Sequence, residues 1–145
     1  MPGEANLFFM FLCVARGEIS RTQRNTKSVY CLVMSGVDEA TERAARMFLE
    51  RIAGRYPITG ARLFGSRARK THRPDSDADL AVFIAGPPGN AKTVGVDMAG
   101  VAFDVMLEAG VLVSPLPIWE TEWESPEAFS NPELLQAIRR EGIAL

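Results

Sequence analysis

Two aspartates one residue apart, Asp77 and Asp79, open the run Asp-Ala-Asp-Leu-Ala-Val-Phe-Ile. Its apolar composition reads as a β-strand, and strand side chains at i and i+2 project to the same side with about 7 Å between their Cα atoms. Two like charges at that separation are costly unless a cation lies between them or one of them takes up a proton. A hard, oxygen-seeking ion such as Mg2+ suits a carboxylate pair that leaves room for water and phosphate. In sites that hold two such ions roughly 3.5–4 Å apart, one carboxylate pair can serve both.

Ten residues separate this pair from a Gly-Ser step, Gly65-Ser66, which ends an earlier apolar run. A glycine there lets the backbone turn sharply and come close to a ligand. Ser66, starting a turn of helix, offers a hydroxyl and free N–H groups to an anion. Arg67, Arg69, Lys70 and Arg73 follow, more positive charge than a turn requires and well matched to a polyphosphate.

Phe64-Gly65-Ser66, the ten-residue spacer and Asp77-Ala78-Asp79-Leu80 together resemble the signature of the DNA-polymerase-β-like nucleotidyltransferase superfamily. The wording Gly-Ser-Arg-Ala-Arg and Ser-Asp-Ala-Asp-Leu most resembles its minimal single-domain members, often paired with HEPN-domain proteins. The resemblance implies a nucleoside triphosphate, most often ATP, as substrate and two Mg2+ ions (or Mn2+) held by Asp77 and Asp79. It further implies that Gly65 and Ser66 seat the β- and γ-phosphates, with Arg67 or Arg69 neutralising them. Members of the family carry a third acid on a neighbouring strand. Asp104 fits that description, because Val-Ala-Phe-Asp-Val-Met-Leu reads as a strand over 101–107 and a buried aspartate needs a metal, a cation or donors. Asp97 and Glu108 are its competitors.

The remaining elements can be read from pattern. Val37, Ala40, Ala44, Phe48 and Ile52 recur at helical spacing over 37–54, with Ser35 as N-cap and Gly54 as stop. Residues 58–64 form the first strand and 79–85 the second. The second is apolar on both faces, as a central, doubly covered strand would be. Residues 91–99 form a weak helix, 101–107 a third strand, and 111–113 a short last strand. Trp119, Trp123 and Phe129 read as core cover. Asn131 caps a final helix with Pro132 at its first position, and Gly142 ends it. His72, the one histidine, reads as an exposed loop residue. Pattern and resemblance together imply an α+β (mixed α/β) nucleotidyltransferase fold, a small mixed sheet flanked by helices.

Composition sets outer bounds. The chain has 145 residues, 47% hydrophobic and 23% charged, with a net charge of −2, which is one globular domain's worth of material. That balance disfavours stable binding to long nucleic acids, which usually calls for a basic stripe. Residues 34–145 read as the single nucleotidyltransferase domain, and 1–33 as an appendage from an upstream start or a flexible arm. Its apolar run, Leu7 to Ala15, is too short to span a bilayer and has no basic lead-in for export. Cys13 and Cys31 read as free thiols. A cytoplasmic setting follows, with no membrane partner.

The expected reaction is metal-dependent transfer of a nucleotide, AMP from ATP, onto an acceptor hydroxyl. The resemblance implies a HEPN-family toxin as acceptor and an antitoxin role for this chain. The alternative is a non-catalytic nucleotide- and metal-binding module that silences its partner by contact.

Overall fold

A computed structural model describes residues 36–145. The expectations for residues 1–33 and for Ser35 lie outside them. Helix α1 spans Glu39–Ile52. Asp38 caps it, accepting from the Thr41 backbone N–H at 3.0 Å and from the Thr41 hydroxyl at 2.6 Å. Such a cap satisfies a donor that the first turn leaves free, and its loss typically costs about 0.5–2 kcal/mol. Glu39 and Glu42 in the first turn and Arg51 in the last complement the helix dipole.

Strand β1, Ile58–Phe64, runs into a single helical turn, α2, Gly65–Ala68. After a loop comes β2, Ala78–Ile84, and then helix α3, Ala91–Ala109. Strand β3 covers Val113–Trp119 and leads into the short helix α4, Glu120–Glu124. Helix α5, Pro132–Glu141, and the two-residue strand β4, Ile143–Ala144, complete the chain. Asn131 caps α5 by accepting from the Leu134 N–H, and Gly142 follows its last turn. These are the ends expected for that helix.

The sheet order is β3-β2-β1-β4. β1 pairs antiparallel with β2, setting Phe64 opposite Asp79, and β4 pairs antiparallel with β1 through Leu63 and Ile143. β3 pairs parallel with β2 from Ala78–Val113 to Ile84–Trp119. The sheet is therefore mixed, small and flanked by helices, as expected. β2 lies inside it with both faces covered. Ala78, Leu80, Val82 and Ile84 join Phe48 and Ile52 of α1 and Met98 and Val105 of α3 in the main core. On the other face Ala81 packs with Ile118, Leu135 and Ile138, while Phe64, Phe83 and Trp123 lie around them. Burying one such aliphatic side chain contributes about 1.5–3 kcal/mol. The period-two alternation of β2 thus splits its residues between two hydrophobic layers, and one of those layers carries Asp79.

Two sequence expectations are overturned. The weak helix over 91–99 and the strand over 101–107 are one continuous helix, α3, capped by Asn90 and ended by Gly110 in a left-handed conformation at φ 76. The long connection that β2 needs to reach its parallel neighbour β3 explains why. A parallel pair requires a crossover of a dozen residues or more, usually helical. The last strand is also longer than 111–113, because it runs through Pro115 and Pro117. β3 lies at the sheet edge, where the missing N–H groups of two prolines at alternate positions can all face away from β2.

Candidate nucleotide and metal site

The site is built where β1 ends and β2 begins. Antiparallel pairing brings Phe64 level with Asp79, so the turn that starts at Gly65 sits over the Asp79 carboxylate. Gly65 has φ +72, a left-handed conformation that side-chain-bearing residues adopt at a cost of about 1–2 kcal/mol. A β-carbon on Gly65 would lie 3.1 Å from Asp79 Cγ and overlap Oδ2. The glycine is needed for its backbone angle and for the space it leaves.

Asp77 is exposed just before β2, and Asp79 is half-buried on its first turn of pleat. Burial pushes the Asp79 carboxyl above the usual carboxylate range, the Asp77 charge adds to that push, and the Arg69 guanidinium opposes it. The two carboxylates therefore share one electrostatic environment, as residues at i and i+2 of a strand should. Their oxygens and mutual repulsion fit a divalent cation, which would relieve the repulsion and still leave positions for water and phosphate. Ser66 is the second residue of α2, directly after Gly65.

The two arginines separate cleanly. Arg67 is only 3% exposed. It donates from Nη1 to Thr41 Oγ1 at 2.6 Å, from Nε to the Ser76 carbonyl at 2.8 Å and from Nη2 to the Pro74 carbonyl at 3.4 Å. It also lies 3.6 Å from the capping Asp38. The expectation that Arg67 binds nucleotide is thereby corrected. Its guanidinium ties the 71–76 loop to the start of α1, so that loop delivers Asp77 in a fixed position. Arg69 is exposed, within electrostatic reach of Asp79, and donates to Glu141 at 3.3 Å. Of the two arginines, Arg69 is the one that stays exposed near the carboxylate pair.

Asp38 feels the same network. Burial raises its pKa, but the Thr41 hydrogen bonds and the charges of Arg67 and His72 outweigh this and hold it below the ordinary carboxylate range. His72, 23% exposed, lies with Nε2 3.6 Å from Asp38. It belongs to this structural cluster, and its buried Nδ1 has no hydrogen-bond partner in the described residues.

Asp104 is not part of the site. It is exposed on α3, in a groove with Arg55, Asp97 and Phe103, so the third catalytic and metal-binding role assigned to it is withdrawn. Its competitors fare no better. Asp97 accepts from Arg55 and from the Tyr56 hydroxyl, and Glu108 accepts from Arg51. Among the described residues no three His, Cys, Asp or Glu side chains gather as a metal-binding group. The neighbouring strand places Ser114 level with Asp79, and in a sheet level residues share a face. The acidic pair therefore has a hydroxyl beside it where a third carboxylate was expected.

Residues 45–110 match the family model described as a nucleotidyltransferase domain. That span runs from within α1 to the end of α3 and holds Gly65, Ser66, Asp77 and Asp79, so the part of the chain that builds the site is similar to a nucleotidyltransferase domain. A solved structure of a candidate nucleotidyltransferase from Sulfolobus solfataricus is similar over 63% of this chain and 84% of its own, at 20% identity and a TM-score of 0.37. A likeness that loose carries no argument about this chain. Curated proteins give no match.

Proposed function

We propose that this domain binds a nucleoside triphosphate with a divalent cation at the Gly65–Asp79 corner and transfers the nucleotidyl group to an acceptor hydroxyl. The observation that carries the reading is the lodging of the Asp79 carboxylate against Gly65, with the Asp77 charge close enough to raise its pKa. A cation bound there, Mg2+ or Mn2+, supplies Lewis acidity to the phosphates and the attacking oxygen. Asp77 and Asp79 hold it, the turn at Gly65-Ser66 receives the terminal phosphates, and Arg69 leaves Glu141 to neutralise them. The acceptor oxygen then bonds to the α-phosphorus, the bond to the β-phosphate oxygen breaks, and pyrophosphate leaves against donors already in place. With Ser114 beside the pair, the acceptor's proton goes to solvent or to a base on the acceptor protein.

The finer reading is AMP transfer from ATP onto a hydroxyl of a HEPN-family toxin, in the cytoplasm, with this chain as antitoxin. It rests on the sequence resemblance. Among the described residues no helix is long and apolar enough to cross a membrane, in keeping with that setting.

One observation favours a second reading. Asp104 lies on the exposed face of α3 and Ser114 stands opposite Asp79, so the argument for catalysis from three converging acids is gone. A module that binds nucleotide and metal without chemistry needs only the pair. Incubation with α-labelled ATP, Mg2+ and the protein encoded beside it separates the two. Label on the partner that is lost with Asp79→Asn supports transfer. A tight complex without label supports binding alone.

A further inference from the structure

The last turn of α5 holds a carboxylate that the helix itself does not call for. Arg139 and Arg140 suit the negative end of the dipole, where an acid is disfavoured, yet Glu141 is the final residue of the helix. It is held on two sides. Arg140 donates to Oε1 from Nη2 at 2.8 Å and from Nε at 3.3 Å, and Arg69 donates from Nη1 to Oε2 at 3.3 Å. These donors, Arg140 first, keep the carboxyl below the usual carboxylate range, so it is an anion at neutral pH. The backbone just beyond it is tied to β1. Arg62 donates to the Gly142 carbonyl at 3.2 Å, Ile143 pairs with Leu63, and the Leu145 N–H donates to the Ala61 carbonyl at 3.0 Å. A β-carbon on Gly142 would overlap the Ile138 carbonyl oxygen, so the passage from helix to strand is tight. Glu141 is thereby anchored to the strand that ends at the Gly65 turn, and it faces the arginine whose charge also reaches Asp79.

We propose that Glu141 is a specificity-determining residue, a resident anion on Arg69 that the terminal phosphates of a nucleoside triphosphate displace. The inference rests on the nucleotide-binding reading above and gives Glu141 its part in it. Arg69 stands between two sets of acids. In the empty site Glu141 draws the guanidinium off Asp77 and Asp79, which leaves that pair open to a cation. With the pair neutralised, the phosphates compete with Glu141 alone. A phosphate carries more charge than a carboxylate and offers the guanidinium two oxygens at once, whereas Oε1 of Glu141 is already taken by Arg140. The exchange is easy because the ion pair is exposed, with side chains 52 and 33% accessible, and such pairs are weak. A nucleoside monophosphate lacks the phosphates that reach Arg69 and leaves the pair intact.

The test is calorimetric titration of the full chain with Mn2+ alone, and with ATP or AMP in saturating Mg2+. It compares the wild type, Glu141→Gln, Arg69→Ala and the double variant. In Glu141→Gln, ATP binding should tighten by up to about fivefold, the range of an exposed ion pair, and AMP binding should not change. Mn2+ binding should weaken several-fold, because Arg69 is released onto Asp79. Both differences should vanish when Arg69 is alanine. If ATP and Mn2+ binding weaken together, Glu141 only braces the end of α5 and the proposal is overturned; a change that persists without Arg69 overturns it too. ATP binding that is no tighter in Glu141→Gln overturns this inference and leaves nucleotide binding standing. A wild type that binds Mn2+ but neither nucleotide removes the reading beneath it, and the inference with it.

Discussion

The Asp79 carboxylate occupies the space that a β-carbon on Gly65 would need. A backbone angle on one strand end and a side chain on the next are therefore fixed by each other. Gly65→Ala should cost about 1–2 kcal/mol from the left-handed backbone alone. It should also drive the carboxylate away from the turn and abolish divalent-cation binding. Urea unfolding and Mn2+ titration read the two effects, and a variant that binds Mn2+ normally would show that the close approach is incidental.

Asp79 itself should be a stability liability in the metal-free protein. Its pKa is raised on folding, so the folded chain binds the proton more tightly than the unfolded chain. The contribution of Asp79 to stability is then fully present below the ordinary carboxylate range and is lost as pH rises through the raised value. Asp79→Asn, neutral throughout, should melt above the wild type at neutral pH, with the gap closing as the pH falls toward the ordinary carboxylate range. Mg2+ should raise the wild-type midpoint and leave the variant unchanged. A variant less stable than wild type at neutral pH in chelator would contradict this account.

Arg67 and Arg69, two residues apart, should behave as opposites. Arg67→Met leaves the Ser76 and Pro74 carbonyls and the Thr41 hydroxyl without their buried donor, a loss of about 2–3 kcal/mol. Arg69→Ala removes an exposed pair with Glu141, worth about 0–1 kcal/mol, yet it should weaken nucleotide binding several-fold. Denaturation midpoints and fluorescent-nucleotide titration on both variants give four readings. Equal effects of the two on stability would refute the assignment.

Asp104→Asn should leave metal and nucleotide binding unaltered, and its stability change should stay within about 0.5 kcal/mol, as for most surface substitutions. Ser114→Asp should do the opposite and tighten Mn2+ binding by placing a third carboxylate level with Asp79. Isothermal titration of both decides the matter. Loss of binding in Asp104→Asn would restore that residue to the site.

The parts of the fold that were legible in sequence share a physical cause. Helices α1 and α5 have one apolar face and acidic first turns, so their period can be read, and the caps of α5 with it; α1 is capped by Asp38 where Ser35 was expected. β1 and β2 are short apolar runs bounded by turn residues, and the Gly-Ser and Asp-x-Asp steps lie at their joined ends. Helix α3 hid because part of its outer face is apolar too. Val96, Ala99, Phe103 and Leu107 stand among Lys92, Asp97, Asp104 and Glu108 on the exposed side and blur the helical period, and Gly95 and Gly100 weaken its propensity further. The same composition made 101–107 look like a strand and drew Asp104 into the site. β3 was concealed by its prolines. Arg67 could not be told from Arg69 because burial is a property of the loop that folds over it, and the spacing of basic residues does not encode that.

Those prolines have a consequence of their own. A rim lacking donors at residues 115 and 117 offers an approaching extended peptide only an interrupted ladder. Among the described residues, strand-by-strand growth, fibrillar stacking and recognition by strand addition are all discouraged on that side of the sheet.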